Sequence, residues 1–122
     1  MRKQMVLVAD DDAPILRLVR AKLQADGFTV LTAMNGEEAV QIFEQERPDI
    51  VVLDLMMPVM DGWQFRAAQR SDPRYATIPV VVVSADAGAE VAAAGLAPDA
   101  FLAKPFELER LLAVVGRYCA HH

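Results

Sequence analysis

The chain has 122 residues, 54% hydrophobic and 24% charged, with seven prolines, six glycines and no biased tract, which suits one globular domain with a real core. A net charge of −5 argues against a general nucleic-acid or anionic-membrane surface, since both reward clustered Lys and Arg. No apolar run reaches the roughly 20 residues of a bilayer span, and Asp10-Asp11-Asp12 cuts short the apolar start, against a signal peptide. The single Cys119 cannot form an internal disulfide, so nothing demands an oxidising compartment and a cytoplasmic protein is expected.

Short β-branched runs alternate with helical patterns. Met5-Val6-Leu7-Val8-Ala9 is continuously apolar, as in a strand buried on both faces. Asp12 can cap a helix with Pro14 in its first turn, Ile15, Leu18, Val19 and Leu23 as its inner residues, and Asp26-Gly27 as its stop. Phe28 to Thr32 reads as a second strand. Asn35 caps a second helix with Ala39, Ile42 and Phe43 inward, ended by Arg47-Pro48. Ile50-Val51-Val52-Leu53 forms a third strand running into Asp54, and a loop from Leu55 to Gly62 leads to a helix over Trp63 to Arg70.

Ser71-Asp72-Pro73 breaks that helix before a fourth strand from Pro79 to Val83, which ends at Ser84. An Ala-rich segment with Gly88 and Gly95 predicts a weaker helix, because each glycine costs about 1 kcal/mol against alanine. Ala100 to Ala103 is a short fifth strand, Lys104-Pro105 follows, and a last helix covers Leu108 to Tyr118. Five βα units with apolar strands predict a single α/β domain over 1–122. The expected fold is a doubly wound (βα)5 parallel sheet of order 2-1-3-4-5, flavodoxin-like.

In such a sheet ligands bind beyond the C-terminal strand ends, near the switch between strands 1 and 3. Asp10, Asp11 and Asp12 follow strand 1, while Asp54, Ser84 and Lys104 end strands 3, 4 and 5. Thr32 of strand 2 lies outside the switch. Converging carboxylates repel one another, and a hard cation relieves this; Mg²⁺ fits best. Asp54 can then attack phosphorus as a carboxylate nucleophile, with Ser84 and Lys104 serving the phosphoryl oxygens. Each residue also has a plainer role: Asp12 as a helix cap, Asp10 and Asp11 as a polar turn, Ser84 as structural. Asp61-Gly62 reads as turn and cap chemistry. Their coincidence on four strand ends favours the functional reading.

Over essentially its whole length the chain resembles the receiver domains of two-component response regulators. The matching segments are Val6 to Asp12, Asp54-Leu55-Met56-Met57-Pro58-Val59-Met60-Asp61-Gly62, Val82-Val83-Ser84-Ala85 and Phe101-Leu102-Ala103-Lys104-Pro105-Phe106. The strand order is itself associated with a member of this family, so it is not an independent expectation. The resemblance implies that Asp54 is the phosphoacceptor. It implies that Asp11, Asp54 and the Met56 backbone carbonyl bind Mg²⁺ (with Mn²⁺ as a substitute), Asp10 acting mainly through water. Ser84 and Lys104 would contact the phosphoryl group, Lys104-Pro105 would be cis, and Phe101 would be the aromatic switch residue, working by packing because it lacks a hydroxyl. The implied partners are a histidine kinase or histidine phosphotransfer protein and a downstream effector protein. No direct nucleic-acid contact or membrane insertion is expected, and the chain would be a monomer or a phosphorylation-dependent dimer. It would be a signalling domain, not a turnover enzyme.

Three departures from the family stand out. Proline in Ala13-Pro14 falls one place late, and the stretch from Ser84 to Lys104 is short, with Gly95-Leu96-Ala97-Pro98-Asp99 before the last strand. A shortened or mobile fourth helix is therefore expected. Met56 and Asp86 flank the crevice mouth, and a bulky Met56 should hinder water attack on the phosphorylated form. Trp63 reads as helix packing and a fluorescence reporter. Met56, Met57 and Met60 read as loop packing, and Cys119 with His121-His122 as surface or frayed terminus.

Other readings predict different residues. A flavin module wants a Gly- or Ser/Thr-rich phosphate loop where Asp10-Asp11-Asp12 stands. An aspartyl-nucleophile phosphohydrolase wants a second Asp at position 56, which is Met. A pseudo-receiver that only binds partners would not need Asp11, Asp54, Ser84 and Lys104 together.

Overall fold

The computed structural model describes residues 4–85, 95 and 97–119. Its strands are β1 (Met5–Ala9), β2 (Thr29–Ala33), β3 (Ile50–Asp54), β4 (Val80–Ser84) and β5 (Ala100–Ala103). The helices among the described residues are α1 (Ala13–Ala25), α2 (Gly36–Gln45), α3 (Gly62–Arg70) and α4 (Leu108–Tyr118). All strand pairs are parallel, in the order β2-β1-β3-β4-β5, as expected. The weaker helix anticipated around Gly88 lies outside the described residues.

Alternation along the strands divides the core in two. Val6, Val8, Ile50, Val52, Val81, Val83 and Leu102 point to one face, where Leu16, Val19 and Leu23 of α1 and Leu111, Val114 and Val115 of α4 cover them. Leu7, Ala9, Val51, Leu53, Val80 and Val82 point to the other, under Ala39 and Phe43 of α2 and Phe65 of α3. A strand covered on both sides has no face for water, which is why these runs carry no polar residue until their ends.

Two expectations are corrected. On α1 the inward stripe is Leu16, Val19 and Leu23, while Leu18 is 60% exposed and Ile15 half-buried. Ile15 and Leu18 share an i,i+3 row beside the stripe that meets the sheet, and periodicity alone does not choose between adjoining rows. Cys119 is buried against the α1–α4 side of the core, its Sγ 3.5 Å from Gln4 Oε1. The chain end is therefore packed at that point. Residues His121 and His122 lie outside the described residues.

The helix ends follow local chemistry. Asp12, Asn35 and Asp61 accept from the backbone N–H groups of Ile15, Glu38 and Gln64. At Asp61 the Gln64 side chain returns the bond to the cap N–H, a complete capping box. Gly27, at φ +97°, closes α1 in a left-handed conformation, with the Phe28 N–H bonded to the Leu23 carbonyl. Gly62 serves close approach: an added Cβ would lie 2.6 Å from the Asp54 carbonyl oxygen and 2.7 Å from Leu55 Cα.

Gly62→Ala is therefore expected to lower stability by about 1–3 kcal/mol, as overpacking against backbone does. Gly116→Ala, in α4 with open space around the new methyl, should raise it by about 0.5–1 kcal/mol through helix propensity. Urea midpoints of the two variants should move in opposite directions.

Candidate functional site

The four polar strand ends converge on one edge of the sheet. Asp10, one residue beyond β1, is 3% exposed, and Asp54, the last residue of β3, is 4% exposed. Asp11 stands in solvent beside them, and carboxylate oxygens of Asp10, Asp11 and Asp54 lie within 4.8 Å of one another. Lys104 crosses from the end of β5 to join them. Its Nζ is 2.8 Å from Asp10 Oδ2 and 3.3 Å from Asp54 Oδ2.

The two buried acids are held by backbone as well. The Asp10 N–H donates to the Ala33 carbonyl, and Asp10 Oδ1 accepts from the Asp12 N–H at 2.9 Å. Asp54 Oδ1 accepts from the Met56 N–H at 3.1 Å. The two oxygens of Asp54 thus have different partners, a backbone amide and an ammonium. Lys104 reaches this position through a cis Lys104–Pro105 bond, with its own N–H donating to the Ser84 carbonyl. Ser84 ends β4 and is 1% exposed. Phe101, opposite Val82, is half-buried against the α2–α3 side of the core.

The loop from Leu55 to Asp61 frames the mouth. Met57 is buried and Met60 packs on the same core, so these two do pack the loop, whereas Met56 is 62% exposed. The Met60 N–H donates to the Pro58 carbonyl across Val59 at φ +67°, a γ-turn. A β-branched residue there is strained, at a cost of order 1–3 kcal/mol. The Met60 carbonyl in turn accepts from the Gly36 N–H at 2.7 Å, tying the loop to α2. Trp63 is half-buried on the α2–α3 side, consistent with packing. Asp86 lies outside the described residues.

The electrostatics are those of an over-acidic cluster. Burial pushes the Asp54 carboxyl up from 3.8 to about 6, the Met56 amide opposes this, Asp10 adds repulsion and Lys104 offsets part of it. For Lys104 burial acts downward, but the hydrogen bond and charge of Asp10, then of Asp54, outweigh it and hold the ammonium above its ordinary value. Three carboxylates against one ammonium leave net negative charge in a confined space. The donor set is all oxygen, as a hard divalent cation requires.

Sequence reasoning missed a second polar group. On the inner face of α3 the buried Arg66 donates to Gln69 Oε1 and to the Ala97 carbonyl, and the buried Gln69 donates to the carbonyls of Tyr75 and Ile78. The only signal in the sequence is two polar residues at i,i+3, a spacing that by itself does not distinguish a buried pair from a solvent face.

Comparison with known proteins accords with this geometry. The model of the response regulator receiver domain matches residues 6–116. The chain belongs to that family. It is 41% identical over 112 residues to the transcriptional regulatory protein PrrA of Mycobacterium tuberculosis, covering 90% of this chain and 47% of the relative. It is 38% identical over 121 residues to a probable transcriptional regulator, ycf27, of Guillardia theta, covering 94% and 46%. The receiver domain thus spans about half the length of these relatives. Among solved structures, the chemotaxis response regulator CheY4 of Vibrio cholerae superposes with a TM-score of 0.88 at 31% identity over 96% of this chain and 99% of that one. A putative response regulator of Chloroflexus aurantiacus gives 0.91 at 29%, over 98% and 100%.

The Asp54 environment carries a pH prediction. Its raised value means the folded protein holds a proton that the unfolded chain has lost between about pH 4 and 6, so stability falls as pH rises through that window. In metal-free protein at pH 7, Asp54→Asn should therefore be more stable than wild type by about 1–3 kcal/mol. The gap should close toward pH 4 in denaturant titrations.

Proposed function

We propose that this receiver domain accepts a phosphoryl group on Asp54 from a phosphohistidine donor, in a Mg²⁺-dependent reaction, and that the modified state is read by a downstream protein. The observation that carries the reading is the convergence of Asp10, Asp11, Asp54 and Lys104 at one sheet edge, with Ser84 beside them. Two-component signalling is the family's role, and a histidine kinase or histidine phosphotransfer protein is the partner it calls for. Transcriptional control is the activity named for relatives about twice as long. The protein would promote only its own phosphorylation and slow dephosphorylation.

Asp11 and Asp54, with the Met56 carbonyl, would hold the ion, and Asp10 would act beside them. Mg²⁺, when bound, neutralises the carboxylates and the phosphoryl oxygens. Everything else falls to the chain. Asp54 supplies the nucleophilic oxygen, and the Met56 amide fixes the carboxylate's orientation by holding Oδ1. Lys104, now shared between Asp10 and Asp54, is placed to follow the new negative charge when Asp54 becomes an acyl phosphate. Ser84 is positioned at the neighbouring strand end to offer a hydroxyl. Phosphoryl transfer asks mainly for such positioning and charge stabilisation. Phe101, half-buried on the adjoining strand, is the residue proposed to repack when that hydroxyl moves.

Incubation with acetyl phosphate should add one phosphoryl group to the intact mass of the wild type when Mg²⁺ is present and none when it is chelated. Asp54→Asn should stay unmodified, and a folded wild type that never gains the mass would overturn the reading. A second prediction concerns Met56, whose exposed side chain stands at the mouth of the site. Met56→Asn should shorten the lifetime of the phosphorylated form several-fold in a phosphate-release assay, since a smaller polar side chain admits and orients water. An unchanged or longer lifetime would refute a shielding role.

A further inference from the structure

We infer that Asp99, with Arg66 and Tyr118, is a register clamp on β5 whose task is to position Lys104. The inference rests on the proposed role of Lys104 toward the phosphoryl group. Lys104 is the one cation within ion-pair reach of the acidic cluster among the described residues, and it directly follows a short edge strand of the sheet. β5 has four residues, lies at the sheet edge and pairs only with β4.

On β1, β3 and β4 both faces are buried, so a slip of one residue would disrupt two packed layers. On β5 a slip would exchange Phe101 for Leu102 between the faces, both large and apolar, with alanine on either side. Hydrophobic patterning therefore specifies this register weakly. A slip would nevertheless move Lys104 by about 3.3 Å and turn it to the other face, breaking both ion pairs.

The chain before β5 supplies what the pattern lacks. The Asp99 N–H donates to the Val80 carbonyl at 2.9 Å, and Asp99 Oδ2 accepts from the Val80 N–H at 2.8 Å. One residue thus grips both backbone groups at the start of β4, one step before the ladder begins at Val81 and Ala100. Tyr118 of α4 donates its hydroxyl to the Asp99 carbonyl at 2.7 Å. Two residues upstream, the buried Arg66 donates to the carbonyl of Ala97, which sits at φ +49°. From this clamp the register runs through Phe101–Val82 and Leu102–Val83 to Ala103–Ser84, and ends at the Lys104 N–H on the Ser84 carbonyl. Asp99 lies at the opposite end of β5 from the chemistry, so it is a positioning residue and touches no reacting atom.

The test is a double-mutant cycle with acetyl phosphate and saturating Mg²⁺. In that reaction an Asp54 oxygen forms a bond to phosphorus as the bond to the acetate oxygen breaks, and the electron pair leaves with acetate. Asp99→Ala should slow phosphorylation about tenfold, a modest figure for a misplaced catalytic group. The same change in a Lys104→Ala background should have less than about a twofold effect, because coupled residues are not additive. Asp99→Asn, which keeps a side-chain oxygen acceptor, should restore most of the rate, and Tyr118→Phe should give a smaller loss in the same direction. Melting curves establish that each variant is folded.

A second readout needs no metal or donor: amide exchange at Lys104 should quicken at least about tenfold in Asp99→Ala, reflecting local opening of β5. Equal slowing by Asp99→Ala in both Lys104 backgrounds, or an unchanged Lys104 amide, would overturn the clamp. A wild type that takes no phosphoryl group, or a Lys104→Ala that reacts normally, would instead overturn the reading of the site. The clamp would then stand or fall on amide exchange alone.

Discussion

Three carboxylates brought to the end of a parallel sheet, two of them almost out of contact with water, are held there against their own repulsion by a single ammonium. Lys104 sits 2.8 Å from Asp10 and 3.3 Å from Asp54. This balance is incomplete, since burial still drives the Asp54 carboxyl up to about 6. A buried charge cluster that its own lysine cannot neutralise is a poor stabilising element, and its all-oxygen donor set is of the kind a hard divalent cation takes. The fold tolerates the cost because the two apolar layers flanking the sheet supply the stability elsewhere.

The architecture serves that cluster by division of labour. Central strands β1 and β3, buried on both faces, place Asp10 and Asp54 in the packed middle of the sheet. The loop after β3 is built differently: it carries the γ-turn at Val59, the amide that orients Asp54 and the close approach of Gly62 to the Asp54 carbonyl. Strain and contact there are local to Asp54. The edge strand β5 brings the cation, and hydrogen bonds of Asp99 to Val80 and Tyr118 flank its short ladder. Acids at the ends of central strands and a lysine just beyond an edge strand would suit the change of charge proposed for Asp54.

Some sequence expectations failed in an instructive way. Leu18 shares α1 with three core residues yet stands in solvent, because a helix offers adjoining apolar rows and the sheet selects one. Cys119, the last described residue, is buried against the α1–α4 side because α4 lies on that side of the sheet. Arg66 and Gln69, which no sequence pattern singled out, form a buried hydrogen-bonded chain from α3 to Ala97 and the α3–β4 loop. In each instance the deciding partner is distant in sequence and invisible to local periodicity.

The sequence by itself determined the strand and helix succession, the parallel sheet and the family, because continuous apolar runs, caps and breakers are local physics. It also marked Asp10, Asp11, Asp54, Ser84 and Lys104, because strands buried on both faces carry their charged residues at their ends, and those ends share an edge. Only the tertiary structure decided that Lys104 pairs with both Asp10 and Asp54, and that Asp54 is more deeply buried than its neighbour Met56. It also decided that Asp99 grips the first residue of β4. These depend on strand register and on desolvation, which arise when separate segments meet, and no window of the chain contains both partners.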